Sequence, residues 1–359
     1  MGDADEHFGA PRPVFGNTLS RLPKCAMLRQ NHGGKRMRFR FLLTAIVSLL
    51  SVGAAQAQSY PTRPITMVVP FAAGGPTDTV ARIIGERMGR ALGQNIIIEN
   101  VTGAAGSIGV GRVARAAPDG YTLSIGHWST HVVNGAIYAL NYDLVKDLDP
   151  VALLPSNPQL IVAKPTAPAK DLKELVAWVK ANQDHISGGT AGAGSASHIG
   201  EIYFQQFTGT HFAFVPYRGT GPAMLDLVAG RLDIMCDQSS NSLPQVRQGT
   251  IKAYAVTAPK RLAAAPDIPT VDEAGLPGFY ISVWHGLWVP HGTPKEIVAK
   301  LAAAVQEALA DATVQKRFAD LGQEIPPREQ QTPEGLGAHQ KAEIAKWWPI
   351  IKAAGIKAE

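Results

Sequence analysis

Two histidines, His127 and His131 in the segment HWSTH, lie four residues apart, which is the spacing at which one helical face can share a metal ion. A zinc peptidase motif of this kind also needs a glutamate directly after the first histidine, where this sequence has Trp128, and a third ligand elsewhere. We therefore interpret the two histidines as part of a polar pocket wall or of the surface. The sequence predicts no metal site.

A second pair, Ser195 and His198, could serve as nucleophile and general base if the two side chains met. The chain contains no G-x-S-x-G nucleophile elbow, however, and a serine at the start of a helix commonly caps backbone amides. The pair is therefore favoured as an organiser of backbone beside a ligand, with hydrolysis left open as an alternative. Cys236 ends an apolar run and is expected to be a buried packing residue.

Two glycine-rich stretches resemble nucleotide-binding loops but lack their defining residues. GAAGSIGVG (103–111) does not have the G-x-G-x-x-G spacing of a dinucleotide fingerprint, and GTAGAGS (189–195) has no Lys-Ser/Thr pair. The sequence therefore indicates no cofactor.

Four loops rich in small residues each precede a predicted helix: PFAAGGPTD (70–78), GHWST (126–130), GTAGAGSASH (189–198) and YRGTGPA (217–223). Helix N-termini present unpaired N–H groups and a partial positive charge, so they attract anions without a fixed cation. Glycine also lets a carboxylate approach the backbone closely. One such loop alone could be a tight turn, but four at one cleft predict a binding site for a small anion.

The charge of the chain is concentrated at its beginning. Residues 1–57 hold eight Lys or Arg and three acidic residues, a net charge of 8 − 3 = +5, and the whole chain is also +5. Residues 58–359 are therefore neutral overall, which argues against a nucleic-acid partner.

The first 57 residues resemble an export signal. KRMRFR (35–40) is basic, the apolar run at 41–55 is too short to span a membrane, and AQA (55–57) predicts cleavage after Ala57. The true start could be Met1, Met27 or Met37. The mature chain, 58–359, keeps one thiol, so its core must be stable without an internal disulfide.

The elements that must position these loops alternate between strand and helix. ITMVV (65–69), NIIIEN (95–100) and YTLSIG (121–126) read as strands with helical segments between them, and the same order restarts at LIVAK (160–164). This alternation predicts an α/β fold with mostly parallel sheets in two lobes. Two proline-flanked extended stretches, 151–165 and 283–294, would cross between the lobes as a hinge, with ligand at the carboxyl ends of the strands.

Several motifs together resemble the tripartite tricarboxylate transporter substrate-binding family, also called Bug-type receptors. They are YPTRPITMVVPFAAGGPTD, IIIENVTGAAGSIG, APDGYTL, SASH, VPYRGTGPAMLDLVAGRLDIMCD and KAYAVTA, and they span nearly all of 58–359. The resemblance implies a type II periplasmic-binding-protein (Venus flytrap) fold. It also implies a periplasmic, monomeric, non-enzymatic receptor that binds a small organic acid and presents it to membrane permease subunits.

The resemblance also implies most of the site, and the anion-binding loop at 217–223 adds Tyr217 and Arg218. The candidate ligand-binding residues, including two from the loop at 217–223, are Phe71, Ala73, Gly74, Gly75, Thr77, Asp78, Ser129, Thr130, Ala193, Gly194, Ser195, Ser197, His198, Tyr217, Arg218 and Asp237. Ala72, Pro76, the pair at 127–128 and Arg218 depart from the residues common in the family. These departures lie in or beside the expected pocket, so they leave the identity of the acid open.

The expected organisation is a leader at 1–57, a first lobe formed by 58–157 and 285–359, and a second lobe formed by 158–284. Besides hydrolysis by Ser195 and His198, one more alternative remains open. The same fold could act as an extracytoplasmic sensor that passes its ligand-bound form to a two-component system.

Overall fold

The computed structural model describes residues 60–353 and 355–357. The predicted export signal therefore lies outside the described residues. The strands are β1 Ile65–Val69, β2 Ile96–Asn100, β3 Thr122–His127, β4 Leu148–Ala163, β5 Ser187–Thr190, β6 Ala213–Pro216, β7 Ile234–Gln238, β8 Lys252–Val256 and β9 Ser282–Pro290. The α-helices are α1 Pro76–Leu92, α2 Ser107–Ala114, α3 Asn134–Ile137, α4 Leu172–Ala181, α5 Ala196–Thr208, α6 Thr220–Val228, α7 Ser239–Arg247, α8 Lys295–Ala310, α9 Ala312–Asp320 and α10 Pro333–Ala353.

The strands form one path in the order β2-β1-β3-β9-β4-β7-β5-β6, with β8 paired to β4. Strands β1, β2 and β3 are parallel, as are β5, β6 and β7, whereas β4 and β9 run antiparallel to their neighbours. The fold is therefore the predicted two-lobed α/β fold. We assign β1–β3, α1–α3 and α8–α10 to the first predicted lobe, and β5–β8 and α4–α7 to the second.

Strand β4 belongs to both lobes. Its residues from Leu148 to Pro158 pair with β9, and those from Gln159 to Ala163 pair with β7 and β8. The change of partner within one strand marks a crossing between the lobes. The lobe bounds at 157/158 and 284/285 stay a prediction.

Helix α1 has the buried apolar face that the spacing of its residues predicted. Val80, Ile83, Ile84 and Met88 recur at three- and four-residue spacing and are buried. They pack with β1 and with α8 in one apolar cluster. Burial of each such side chain stabilises the fold by roughly 1.5–3 kcal/mol. The stable core holds the loop before α1 in place, which is what the site requires.

Candidate functional site

Four helices begin at one small pocket between the lobes. The pocket has a volume of about 20 Å³ and is lined by Phe71, Gly75, Pro76, Thr77, His127, Ala191, Ser195, Ala196, Ser197, Thr220 and Gln238. This set contains the first residues of α1, α5 and α6 and the residue that precedes α7. Because each helix N-terminus carries a partial positive charge, the four together favour an anion in this pocket.

Two of these helices have glycine at the N-cap position. Gly75 precedes α1 and Gly219 precedes α6, and neither N-terminus has a side-chain cap. At α5, by contrast, the Ser195 hydroxyl accepts from the His198 N–H at 3.3 Å. Because Pro76 has no N–H, the amides that α1 can offer to a ligand begin at Thr77, whereas those of α6 begin at Thr220. The N-cap of α7, Gln238, also makes no side-chain cap bond.

Asp78 fixes the loop before α1 from within. Its carboxylate accepts from the Gly74 N–H at 2.9 Å and from Arg82 at 2.8 and 3.0 Å. Asn100 Nδ2 donates to Asp78 Oδ1 at 3.0 Å and to the Phe71 carbonyl at 2.9 Å. Burial pushes the pKa of Asp78 upward, but the hydrogen bonds from Arg82, Gly74 and Asn100 outweigh it and lower the pKa. Asp78 therefore shapes the loop as an ionised group and does not line the pocket.

The glycine loop of the second lobe is organised by its own hydroxyls. Ser197 Oγ accepts from the Ala191 N–H at 3.0 Å and lies 3.1 Å from Ser195 Oγ. His198 Nδ1 accepts from the Gly194 N–H at 3.0 Å. These bonds turn the side chains of this loop toward its backbone, as the helix-cap interpretation of Ser195 predicts.

A larger chamber adjoins the small pocket. It has a volume of about 880 Å³ and is lined by Phe71, Ala72, Gly103, Ala104, Ala105, Gly106, Tyr138, Thr190, Ala191, Gly192, Ala193, His198, Phe214, Pro216, Tyr217, Arg218 and Pro222. The lining contains no Asp or Glu, and within the described chain Arg218 forms no ion pair. The chamber therefore combines aromatic walls with one uncompensated guanidinium group.

His127 forms one wall of the small pocket. Its ring stacks on Phe71 with centroids 5.0 Å apart and planes within 1°, and it meets His285 edge-on at 5.6 Å. The Ser129 N–H donates to His127 Nδ1 at 3.1 Å. Burial, followed by the nearby His285 and His131, holds the pKa of His127 well below its ordinary value. The wall is therefore a neutral imidazole.

His131 lies behind this wall. It stacks on Trp288 at 3.6 Å between centroids, and burial lowers its pKa to about 3. The two histidines belong to β3 and to a π-helical turn, Ser129–Val133, and do not share an ordinary α-helical face. In the part of the chain that the structure describes, no group of three or more His, Cys, Asp or Glu could hold a metal ion.

Asp237 lies behind the pocket and its neighbour Gln238 lines it. Asp237 is fully buried and accepts from Asn241 Nδ2 at 2.8 Å and from Ser242 Oγ at 2.7 Å. With the Asn157 amide oriented so that both its oxygen and its nitrogen have partners, its nitrogen donates to Gln238 Oε1 at 3.0 Å. The side chain that reaches the cavity from the end of β7 is thus the one after the predicted residue.

The structure brings many of the predicted residues to the two cavities. At least one of them is lined by Phe71, Gly75, Thr77, Ala193, Ser195, Ser197, His198, Tyr217 and Arg218, whereas Ala73, Gly74, Asp78, Ser129, Thr130, Gly194 and Asp237 line neither. Sequence reasoning did not single out Thr220, Gln238 or Tyr138. The signal for Thr220 and Gln238 was available, because each stands where a strand or loop gives way to a helix.

A third cavity, of about 950 Å³, runs along β4 and β9 and is larger than either. Its lining carries both signs of charge, with Lys260 and Lys346 beside Glu324 and Glu343, and none of the α-helices begins there. We regard the pocket at the four helix N-termini as the candidate site because it alone concentrates one sign of potential on a small volume.

Two α/β lobes joined by crossing strands, with an anion-attracting pocket between them, define the class of two-lobed solute-binding proteins. Among the helices of the described residues, none has the length and apolarity to cross a membrane.

Comparisons with known proteins narrow this class. Residues 80–356 match the family described as the tripartite tricarboxylate transporter family receptor. A UPF0065 protein of Agrobacterium vitis, from the TAR-I ttuE-ttuC' intergenic region, is 41% identical over 321 residues, which are 89% of this chain and 93% of that protein. The chain thus belongs to the tripartite tricarboxylate transporter receptor family.

Two solved structures share the fold. The periplasmic binding protein BugD is 42% identical with a TM-score of 0.81, over 84% of this chain and 100% of that one. MatC from Rhodopseudomonas palustris, solved with bound malate, is 45% identical with a TM-score of 0.78, over 81% of this chain and 100% of that one. The chain is therefore similar over more than four fifths of its length to a periplasmic binding protein and to a protein solved with bound malate.

Proposed function

We propose that this protein captures a small organic carboxylate between its lobes and delivers it to a tripartite tricarboxylate-type transporter in the membrane. The observation that carries the proposal is the convergence of four helix N-termini on one pocket. The lining of this pocket contains no Asp, Glu, Lys or Arg, and its one histidine, His127, is neutral. Such a pocket favours an anion through backbone amides and hydroxyls. The malate bound by MatC supports a carboxylate as that anion.

The energetics of such a pocket are sufficient without a lysine or arginine clamp. A hydrogen bond to a charged group contributes roughly 1.5–3 kcal/mol. Three or four of them give about −8 kcal/mol, or roughly micromolar affinity, after the cost of bringing the lobes together is offset. The amides of α1 and α6 and the hydroxyls of Thr77 and Thr220 are the donors that we assign to the first carboxylate.

We assign Arg218 to the far end of the ligand. Its guanidinium lines the adjoining chamber, where no carboxylate of the protein competes for it. A second acidic group on the ligand would pair with it there. A dicarboxylate with one end in the small pocket and the other near Arg218 fits both cavities.

We further propose that binding is not followed by catalysis. His198 accepts from the Gly194 N–H through Nδ1, and Ser195 caps α5. Both groups thereby hold the loop of the second lobe in shape. If the protein hydrolysed an ester or amide, Ser195→Ala would abolish the turnover, and that result would overturn the receptor proposal.

We also propose that the protein acts in the periplasm and that its lobes close on the ligand. The leader at 1–57 would direct the chain to the periplasm, and the two lobes, 58–157 with 285–359 and 158–284, would close on the ligand about the crossing strands. Strand β4, which pairs with strands of both lobes, supports this arrangement. A monomer is sufficient, since one chain supplies both walls of the pocket.

The test is a ligand screen on the purified protein. Thermal shift with a panel of mono-, di- and tricarboxylates should find at least one stabilising acid, and calorimetry should then give its Kd. Mass spectrometry of material released on denaturation would identify an acid that co-purifies. Absence of both a thermal shift and a co-purifying acid would contradict the proposed function.

A further inference from the structure

Among the residues that the structure describes, only two line both the small pocket and the chamber: Phe71 and Ala191. Alanine has a single methyl group, so the phenyl ring is the larger part of the wall between the two cavities. Phe71 is 6% exposed although it faces two cavities. The ring therefore stands where a ligand that occupies both cavities must pass from one to the other.

The position of this ring is fixed from several sides. It stacks parallel on His127, and the Phe71 carbonyl accepts from Asn100 Nδ2 at 2.9 Å. Two glycines lie near it as well, since a Cβ added at Gly106 would be in van der Waals contact with Phe71 Cζ at 3.4 Å and one at Gly219 with Phe71 Cβ at 3.5 Å. A side chain held in this way acts as a rigid wall.

The two cavities differ greatly in size. The small pocket, at about 20 Å³, matches little more than one water-sized group, whereas the chamber, at about 880 Å³, is in the range of small-molecule sites. A ligand can therefore place only a compact head such as a carboxylate in the first cavity. The atoms next to that head have to fit beside the Phe71 ring.

We propose that Phe71 is a specificity-determining residue that selects acids with an unbranched carbon next to the bound carboxylate. This inference rests on the proposed function and names the class of acid within it. A linear dicarboxylate passes the ring with a slim methylene and reaches Arg218 with its second carboxylate. An acid with two methyl groups on the carbon next to each carboxylate meets the ring whichever end enters first.

The experiment compares two pairs of acids on the purified protein by calorimetry: succinate with 2,2,3,3-tetramethylsuccinate, and adipate with 2,2,5,5-tetramethyladipate. The wild type should prefer the linear member of a pair by about tenfold or more, since one misplaced methyl group in a shaped pocket costs that much. In Phe71→Ala the ratio of the two Kd values in a pair should fall several-fold, toward a ratio of one. In Phe71→Leu the ratio should lie between those of the wild type and Phe71→Ala.

Phe207→Ala is the matched control, because Phe207 is 46% exposed and lines neither cavity, so its removal should leave the preference unchanged. Circular dichroism confirms the fold of each variant, and Phe71→Leu keeps the test valid if Phe71→Ala does not fold. An unchanged preference in folded Phe71 variants that still bind acids would overturn this inference alone. Failure of the wild type to bind any acid of a broad panel would overturn the proposed function itself.

Discussion

The N–H of Ala72 in the first lobe donates to the carbonyl of Arg218 in the second lobe at 2.9 Å. This bond joins the loop before α1 directly to the loop before α6. Gly221 sits at the same contact, where an added Cβ would lie 3.0 Å from the Ala73 oxygen, 3.0 Å from the Gly75 nitrogen and 3.1 Å from the Gly74 carbon. The lobes therefore meet backbone to backbone, at a distance that glycine permits.

Gly221→Ala should weaken ligand binding without unfolding the protein. The added methyl group meets backbone of the other lobe, which cannot move aside as a flexible side chain can, so the lobes would be held apart. Within α6 itself alanine is favoured over glycine by up to about 1 kcal/mol. We expect an unchanged or higher melting temperature with a Kd raised about tenfold or more, measured by calorimetry.

Gly337→Ala in α10 is the matched substitution, since its Cβ would meet only the Pro150 side chain, at 3.3 Å. It should leave the Kd unchanged. Wild-type affinity in Gly221→Ala would show that contact between the two loops is not needed for binding.

Tyr138→Phe tests another direct bond between the lobes. The Tyr138 hydroxyl donates to the Ala193 carbonyl at 2.6 Å, and both residues line the chamber. Loss of one such bond costs about 0.5–1.5 kcal/mol, so the Kd should rise roughly two- to tenfold. Tyr142→Phe is the control, because its hydroxyl donates to Ser107 within the first lobe and its loss should not alter the Kd. Equal effects of the two variants on binding would contradict the assignment.

Asp78→Asn should weaken binding although Asp78 lines neither cavity. The substitution removes the ion pair with Arg82 and puts an amide nitrogen where one of the present donors points, so the loop at 71–75 loses its fixed shape. We expect a Kd raised about tenfold and a small loss of melting temperature. Asp119→Asn, which breaks an exposed pair with Arg63, should change neither quantity. The two variants are compared by calorimetry and thermal unfolding.

The sequence predicted the elements that carry local signals. Strand β1 falls at 65–69 as expected, and three of the four predicted anion loops supply first residues of helices to the small pocket. Strand β4 was harder to foresee, because Pro150, Pro155 and Pro158 interrupt the usual strand pattern. Register shifts between Pro150 and Ala152 and between Leu154 and Ser156 accommodate them.

Contacts between the lobes could not be predicted in the same way. Gly219 and Gly221 read as ordinary turn and helix-start residues, and their close approach to the loop at 72–75 depends on how two distant segments meet. Likewise, the prediction that Asp237 binds the ligand came from the resemblance to the family, and a role of Asp237 in binding stays a prediction. Which of two successive residues faces the cavity depends on the strand's orientation, and Gln238 is the one that does.

The raised pKa of Asp237 predicts that the free energy of unfolding depends on pH. Burial raises its pKa from 3.8 to about 6, against hydrogen bonds from Ser242 and Asn241 that favour the ionised form. A carboxyl group whose pKa is higher in the folded state stabilises the fold most below its ordinary pKa. That contribution is lost as the pH rises through about 6. Glu201, also fully buried, has its pKa raised by burial, so its contribution to stability also falls as the pH rises.

Asp237→Asn should therefore gain stability relative to the wild type as the pH increases. With the two pKa values above, the difference in unfolding free energy between variant and wild type should grow by about 1.4 kcal/mol from pH 5 to pH 8. Denaturant titrations at several pH values measure it. Asp226→Asn should give a flat difference over the same range, because the pKa of Asp226 is lowered by Tyr217 and Arg231 and the group stays ionised in both states. A flat difference for Asp237→Asn as well would mean that Asp237 titrates as an ordinary carboxyl group.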